Sequence, residues 1–255
     1  MPLLRLSSLS KRFPNGVSAL DDFDLSIERE DVVTLIGPSG CGKSTVLRLI
    51  AGLDEPSSGH VAWSGARPEI GFVFQEPTLM PWASAFANVW LPLRLRGVSR
   101  AHARERIEQA LELVGLEDFA EARPDQLSGG MKMRVSLARA LVSKPEVLLL
   151  DEPFAALDEM TRFRLNDELL AIRERLRCTI VFVTHSVFEA VYLSNRIVVM
   201  STRPGRVVED IGVAEQYPRS EAFRTSVSYA ETARQISKAL RGDSGLDKQA
   251  VQVHS

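Results

Sequence analysis

The sequence predicts an α/β fold built on a mainly parallel sheet, and three observations carry that prediction. Short, continuously apolar runs recur at 32–36, 70–74, 147–150, 179–183 and 197–200. Strands buried on both faces read this way, because helices cover a parallel sheet on each side. Between the runs lie stretches with apolar residues at three-to-four spacing, so strands and helices alternate along the chain. A glycine-rich loop also joins the first of these runs directly to a helix.

In chain order, the first stretch reads as strands. Phe23, Leu25 and Ile27 alternate with Asp22, Asp24 and Ser26, the period-2 pattern of a strand with one wet face. After the run 32–36 and the glycine-rich loop, residues 45–50 continue as a helix. The region 84–142 has no strong strand run and reads as a helical insertion into the α/β core. Within it, Ala103, Ile107, Ala110, Leu111 and Val114 form one stripe, with Gly115 placed to end that helix. Met131, Val135, Ala138 and Val142 line a second helix, and Met160, Phe163, Leu169, Ile172 and Leu176 a third. From Ala214 onward one weakly amphipathic helix, 223–240, precedes a polar tail. The expected organisation is therefore a domain at 1–213 and a short extension at 214–255.

Composition bounds the function classes. Across 255 residues, 31 Lys and Arg face 33 Asp and Glu, a formal net charge of −2. That balance excludes a DNA-coating role, which needs a basic field, so no nucleic-acid partner is expected. Hydrophobic residues at 45% and charged residues at 25% describe a globular chain. Two cysteines, Cys41 and Cys178, imply no disulfide framework and a reducing compartment. No secretory signal is visible at the start, and no apolar run approaches the roughly 18–20 residues that span a bilayer.

The glycine-rich loop carries the firmest chemistry. Gly37-Pro38-Ser39-Gly40-Cys41-Gly42-Lys43-Ser44-Thr45 matches the phosphate-binding pattern G-x-x-x-x-G-K-[ST] in a strand–loop–helix setting. Glycines let the backbone wrap a phosphate chain with its N–H groups turned inward. Lys43 adds a point charge on the terminal phosphates, and the Ser44 hydroxyl suits Mg²⁺. Cys41 lies beside Lys43 near a helix N-terminus, both of which lower a thiol pKa; the other reading is a small residue that simply fits.

Three further runs end at polar residues. The run 70–74 meets Gln75, 147–150 meets Asp151 and Glu152, and 179–183 passes through Thr184 to His185. Sites in open α/β sheets form at the carboxyl ends of strands, which would gather these groups near the phosphates. Asp151 suits a Mg²⁺-water contact and Glu152 a general base for water. Singly, each has a plainer reading: a strand cap for Gln75, a structural role for His185, a helix-start turn for Asp151-Glu152-Pro153. Leu127-Ser128-Gly129-Gly130-Met131 adds a capped helix start with two glycines in its first turn, which reads as a second anion site or merely as a cap.

Together these residues closely resemble the ATP-binding subunits of ABC transporters, over residues 3–213. The resemblance implies a P-loop NTPase fold: a RecA-like core, an antiparallel β subdomain and an inserted helical subdomain. It implies an ATP hydrolase, with ATP and Mg²⁺ as cofactors, working as a head-to-tail homodimer or with a second such subunit. Each of two ATPs would then be completed in trans by Ser128, Gly129 and Gly130. By position, 37–45 would be the Walker A loop. Gln75 would touch Mg²⁺ and the attacking water, and Asp151 and Glu152 would be the Walker B pair. Asp158 would be the D-loop aspartate, His185 the switch histidine, and Phe13 the aromatic against adenine. One departure is Met131, where the family's signature ends in glutamine; a methionine supplies no amide hydrogen bond. LSGGM is similar to signatures of the nitrate, sulfonate, taurine and bicarbonate importer branch.

The uncharged stretch 77–93 holds two of three tryptophans, Trp82 and Trp90. It reads as subdomain core or as a groove for a short helix of a membrane permease. The resemblance favours docking between Gln75 and Trp90, with Met80, Pro81 and Trp82 contributing. It also implies a peripheral place on the cytoplasmic face of the bacterial inner membrane and, indirectly, a periplasmic or extracellular solute-binding protein. The alternatives are a non-transport ABC ATPase, disfavoured by the single P-loop and absent basic excess, and a lipid or drug export subunit.

Overall fold

The computed structural model describes residues 1–243. In chain order its elements are β1 (Leu4–Arg12), β2 (Ser18–Ile27), β3 (Val32–Ile36), α1 (Lys43–Ile50) and β4 (Ser58–Trp63). Next come β5 (Ile70–Val73), α2 (Ala85–Leu95), α3 (Arg100–Leu113), α4 (Gly129–Leu141), β6 (Val147–Asp151) and α5 (Glu159–Leu176). The chain closes with β7 (Thr179–Thr184), α6 (Val187–Leu193), β8 (Arg196–Met200), β9 (Val207–Gly212), α7 (Glu221–Arg224) and α8 (Val227–Asp243). Two compact units result: Met1–Arg67 with the chain from Thr179 onward, and Pro68–Cys178.

In the first unit, β2, β1 and β4 form an antiparallel sheet in that order. The alternation read in β2 holds: Phe23, Leu25 and Ile27 are buried, while Asp22 and Asp24 are exposed. β3 pairs in parallel with β7 on one side and β8 on the other, and β9 joins β8 antiparallel. Every residue of β3 and β7 is buried, which is why both runs carry almost no polar side chain. Thr34 is the exception in β3, and its hydroxyl bonds that of buried Ser194. α1 presents Val46, Leu47, Leu49 and Ile50 inward. A fully buried side chain of this kind contributes about 1.5–3 kcal/mol.

The C-terminal segment packs onto this unit: α8 lies against α6, β8 and β9. Arg219 anchors it from a nearly buried position, donating to the carbonyls of Val191, Tyr192 and Ser194 at 2.7–2.8 Å and of Glu215 at 2.9 Å. A guanidinium there satisfies the unpaired carbonyls and negative end of α6. The expected single helix at 223–240 is two helices. The Ser226 hydroxyl accepts from Tyr229 N–H at 3.1 Å and so starts a new N-terminus inside the apolar stripe. The polar tail lies outside the described residues from 244 onward.

In the second unit, β5 and β6 run parallel, and α2, α3 and α4 pack on one another with α4 also against β5. α3 ends as expected, with Gly115 donating to Glu112 and Leu116 to Leu111. Two expectations need correction. β5 stops at Val73, and Phe74 is outside it and exposed. The inward face of α5 is Leu165, Leu169, Leu170 and Ile172, whereas Met160 is exposed and Phe163 and Leu176 are half-buried. The stripe assigned to α5 began one turn too early, in the segment next to its N-cap.

Candidate functional site

The loop 37–42 runs from the end of β3 to the start of α1. Gly42 occupies the N-cap position in the left-handed region, at φ 105°, with no side-chain cap on the first turn. An N-terminus whose N–H groups no side chain caps suits an anion. Lys43 is 4% exposed, and its ammonium donates to the carbonyls of Gly37 at 2.8 Å and Pro38 at 3.0 Å. The cation is thereby folded against the loop that would carry the phosphates. Ser44 is exposed on the first turn, and Thr45 is half-buried behind it.

Cys41 corrects the reactive reading. It is 1% exposed, and burial raises its thiol pKa despite the opposing pull of Lys43. Desolvation of a thiolate outweighs a cation 3.9 Å from the sulfur. The residue is there because a small side chain fits.

His185 follows β7. In the parallel register Thr184 stands opposite Ile36, so the phosphate-type loop and His185 leave neighbouring strands at the same end. Thr184 donates to the buried Glu189 carboxylate at 2.5 Å and accepts from Ser186 N–H at 3.0 Å, and Ser186 caps α6. His185 itself is exposed, held between two pinned neighbours. Phe13 is half-buried just past β1, with the Lys11 ammonium 5.4 Å from its ring centroid.

The second unit holds the other expected residues. Val73 stands opposite Leu150, so Gln75 and the pair Asp151–Glu152 emerge at one end of β5 and β6. Gln75 is exposed, while Asp151 and Glu152 are half-buried. Glu152 has φ 44°, a left-handed backbone that a glutamate adopts at a cost of about 1–3 kcal/mol and that surrounding structure must enforce. Ser128 caps α4, accepting from Met131 N–H at 3.2 Å. Gly129 and Gly130 face Leu157 and Thr161, so the α4 start and Asp158 adjoin. Asp158 caps α5, and the Thr161 N–H at 3.0 Å holds its carboxyl below the usual range. Met131 is half-buried, and Val135, Ala138 and Val142 behind it are buried as expected.

Among the described residues no group of three His, Cys, Asp or Glu could hold a metal by itself. The expected donors are a hydroxyl (Ser44), a carboxylate (Asp151) and an amide (Gln75). These are hard oxygens of the kind Mg²⁺ takes when phosphates complete its shell.

Sequence reasoning missed two residues that shape the 77–93 stretch. Asn88 is fully buried; its Oδ1 accepts from Met80 N–H at 2.7 Å, and its Nδ2 donates to Ala83 and Ser84 carbonyls at 3.1 and 3.0 Å. Arg139 of α4 donates to Pro77 O at 2.8 Å and Thr78 O at 2.9 Å. An amide inside an apolar run and an arginine inside an apolar helix were the available signals. Trp82 is 74% exposed, whereas Trp90 donates its indole N–H to Val98 and belongs to the subdomain packing. Beside this loop a groove of about 330 Å³ is lined by Phe74, Thr78, Leu91, Leu95, Arg96 and Arg139, among others.

Residues 20–155 match the family model described as ABC transporter. An ABC transporter ATP-binding protein of Methanocaldococcus jannaschii is 44% identical over 248 residues, covering 94% of this chain and 92% of that protein. The aliphatic sulfonates import ATP-binding protein of Pseudomonas savastanoi is 47% identical over 204 residues, 80% of this chain and 83% of its own length. Among solved structures, a dimeric ATP-binding cassette in a post-hydrolysis state with ADP and Pi aligns at TM-score 0.75 and 33% identity, covering 84% of this chain and all of that one. The cbiO1 protein of Clostridium perfringens, part of an ABC transporter complex, aligns at TM-score 0.76 and 27% identity, over 92% and 99% of the two chains.

Proposed function

The chain belongs to the ABC transporter family of ATP-binding proteins, and from that membership we propose that it powers solute uptake through a separate membrane permease. It is an ATPase subunit whose hydrolysis is coupled to transport. The finer reading is that ATP closes a head-to-tail dimer and hydrolysis reopens it. The observation that carries phosphate binding is the α1 start, with no side-chain cap at Gly42 and Lys43 folded against its loop. There 37–45 would bind the phosphates, with Lys43 exchanging its carbonyl partners for the terminal phosphates. Ser44, Asp151 and Gln75 would hold Mg²⁺, which supplies charge neutralisation at those phosphates.

Glu152 would take the proton of the attacking water, with Gln75 orienting that water and His185 contacting the γ-phosphate. Ser128, Gly129 and Gly130 would bind the γ-phosphate held by the opposite subunit, next to Asp158. Phe13, which is half-buried, would stack on adenine. We place the ATP-binding domain at 1–213 and treat 214–255 as an extension. The groove at Phe74 and Leu95, and separately the exposed Trp82, support permease docking. Relatives named for aliphatic sulfonate import support a substrate of the nitrate, sulfonate or taurine class.

The decisive variant is Glu152→Gln, expected to bind ATP and dimerise in gel filtration while hydrolysing at least about a hundredfold slower. Turnover at the wild-type rate would remove Glu152 as the base. For substrate, a strain lacking the gene is expected to lose growth on alkanesulfonates as sole sulfur source and keep growth on sulfate.

A further inference from the structure

The turn after β8 lies against the phosphate-type loop, and one of its residues is an arginine outside every motif considered above. Arg203 donates from Nε to the Gly40 carbonyl at 3.0 Å. The N–H of the same peptide unit, that of Cys41, donates to the Pro38 carbonyl at 3.2 Å. The Gly40–Cys41 peptide is therefore pinned at both polar ends, and a peptide plane fixed in mid-loop limits how the neighbouring N–H groups can turn.

The turn and the loop approach closely at two points. A Cβ on Gly40 would lie 2.8 Å from Arg203 Nη2, and Gly40 already sits at φ 75°. Two residues beyond Arg203, Gly205 donates to Ala19 at 2.9 Å, and a Cβ there would run into the Cys41 carbonyl oxygen. The turn thus touches Gly40 through a side chain and Cys41 through backbone.

Charge makes the position distinctive. Arg206 on the same turn pairs with Asp21, and Arg196 on β8 pairs with Asp210. Arg203 is exposed and, among the described residues, has no carboxylate partner; its one hydrogen bond goes to Gly40. An unneutralised guanidinium within a Debye length of about 8–10 Å adds to the field on a phosphate chain. Its terminal nitrogens remain as donors while Nε holds the loop.

We propose that Arg203 is a positioning residue for nucleotide phosphates, fixing the Gly40–Cys41 peptide and supplying positive charge behind the loop. This rests on the reading of 37–45 as the phosphate site. The test is titration of ATP, ADP and adenosine into Arg203→Ala, Arg203→Lys, Arg206→Ala and Lys43→Ala by calorimetry, with thermal midpoints recorded. The expected result is about a tenfold weaker affinity of Arg203→Ala for ATP and ADP. Adenosine binding and the thermal midpoint should stay near wild type, Arg203→Lys should recover most of the loss, and Arg206→Ala should bind normally.

Unchanged ATP affinity in Arg203→Ala would overturn the proposal, as would an equal loss for adenosine, which signals general loosening of the fold. Loss of ATP binding in Lys43→Ala but not in Arg203→Ala overturns the role of Arg203 alone. Unchanged binding in both overturns the phosphate-loop reading with it.

Discussion

Two side chains in the loop 37–45 show how burial decides chemistry. Lys43 and Cys41 are adjacent to the same N-terminus, yet the lysine meets two carbonyls and the thiol is sealed beneath it with its pKa raised. Native Cys41 should therefore resist a thiol reagent with or without ATP. Modification should track unfolding in urea, and a fast, ATP-protected reaction in the native protein would contradict the buried geometry. Asn88 makes the complementary case. Replacing it with Ala leaves Met80 N–H and the Ala83 carbonyl without their amide partner. The expected loss is about 1–3 kcal/mol in urea unfolding. At this scale the sequence announced Lys43, because its pattern is local. It could not announce Asn88 or Arg203, whose meaning comes from the carbonyls they meet. The sign of the Cys41 shift was hidden for the same reason, since desolvation depends on what covers the sulfur.

At the scale of elements, periodicity revealed what was buried on two faces and little else. β3, β6 and β7 are apolar runs because both faces are covered. β4 begins with exposed Ser58, Gly59 and His60, and β9 buries only Ile211, so neither left a hydrophobic signal. The C-terminal helices were legible as amphipathic but their seat was not. α8 is tied to α6 by Tyr229, whose hydroxyl donates to the Phe188 carbonyl at 2.8 Å while its ring packs edge-on against Phe223. Burial pushes that phenol up to about 12. The native state therefore prefers the protonated form, and the contribution is intact below the ordinary phenol value of about 10 and lost as pH rises toward about 12. The expected outcome is a fall in stability across that window, measured by urea midpoints, that is smaller in Tyr229→Phe. An identical pH profile in the variant would assign the alkaline loss to other groups. α6 is capped by Ser186, the residue after His185, so the same docking bears on the helix that follows His185.

For the molecule as a whole, the formal charge is −2, and among the described residues no helix is long and apolar enough to cross a membrane. Attachment through a permease then needs a surface whose affinity does not come from basic residues. The groove beside α2 offers apolar surface next to its lining arginines Arg96 and Arg139: Leu95 is 79% exposed, and Phe74 contributes an exposed ring on the segment leading to Gln75. Arg139 ties that segment to α4, the helix begun by Ser128. A Leu95→Glu substitution points a carboxylate into the groove while disturbing no buried contact. Replacing exposed apolar surface there with a carboxylate that must be desolvated on docking costs roughly 2 kcal/mol or more, over tenfold in affinity. We expect Leu95→Glu to lose co-purification with the permease subunits, with Trp82→Ala weakening it to a lesser degree. ATPase activity of the isolated subunit should stay near wild type in both. Retention of the permease by Leu95→Glu would move the docking surface off this groove.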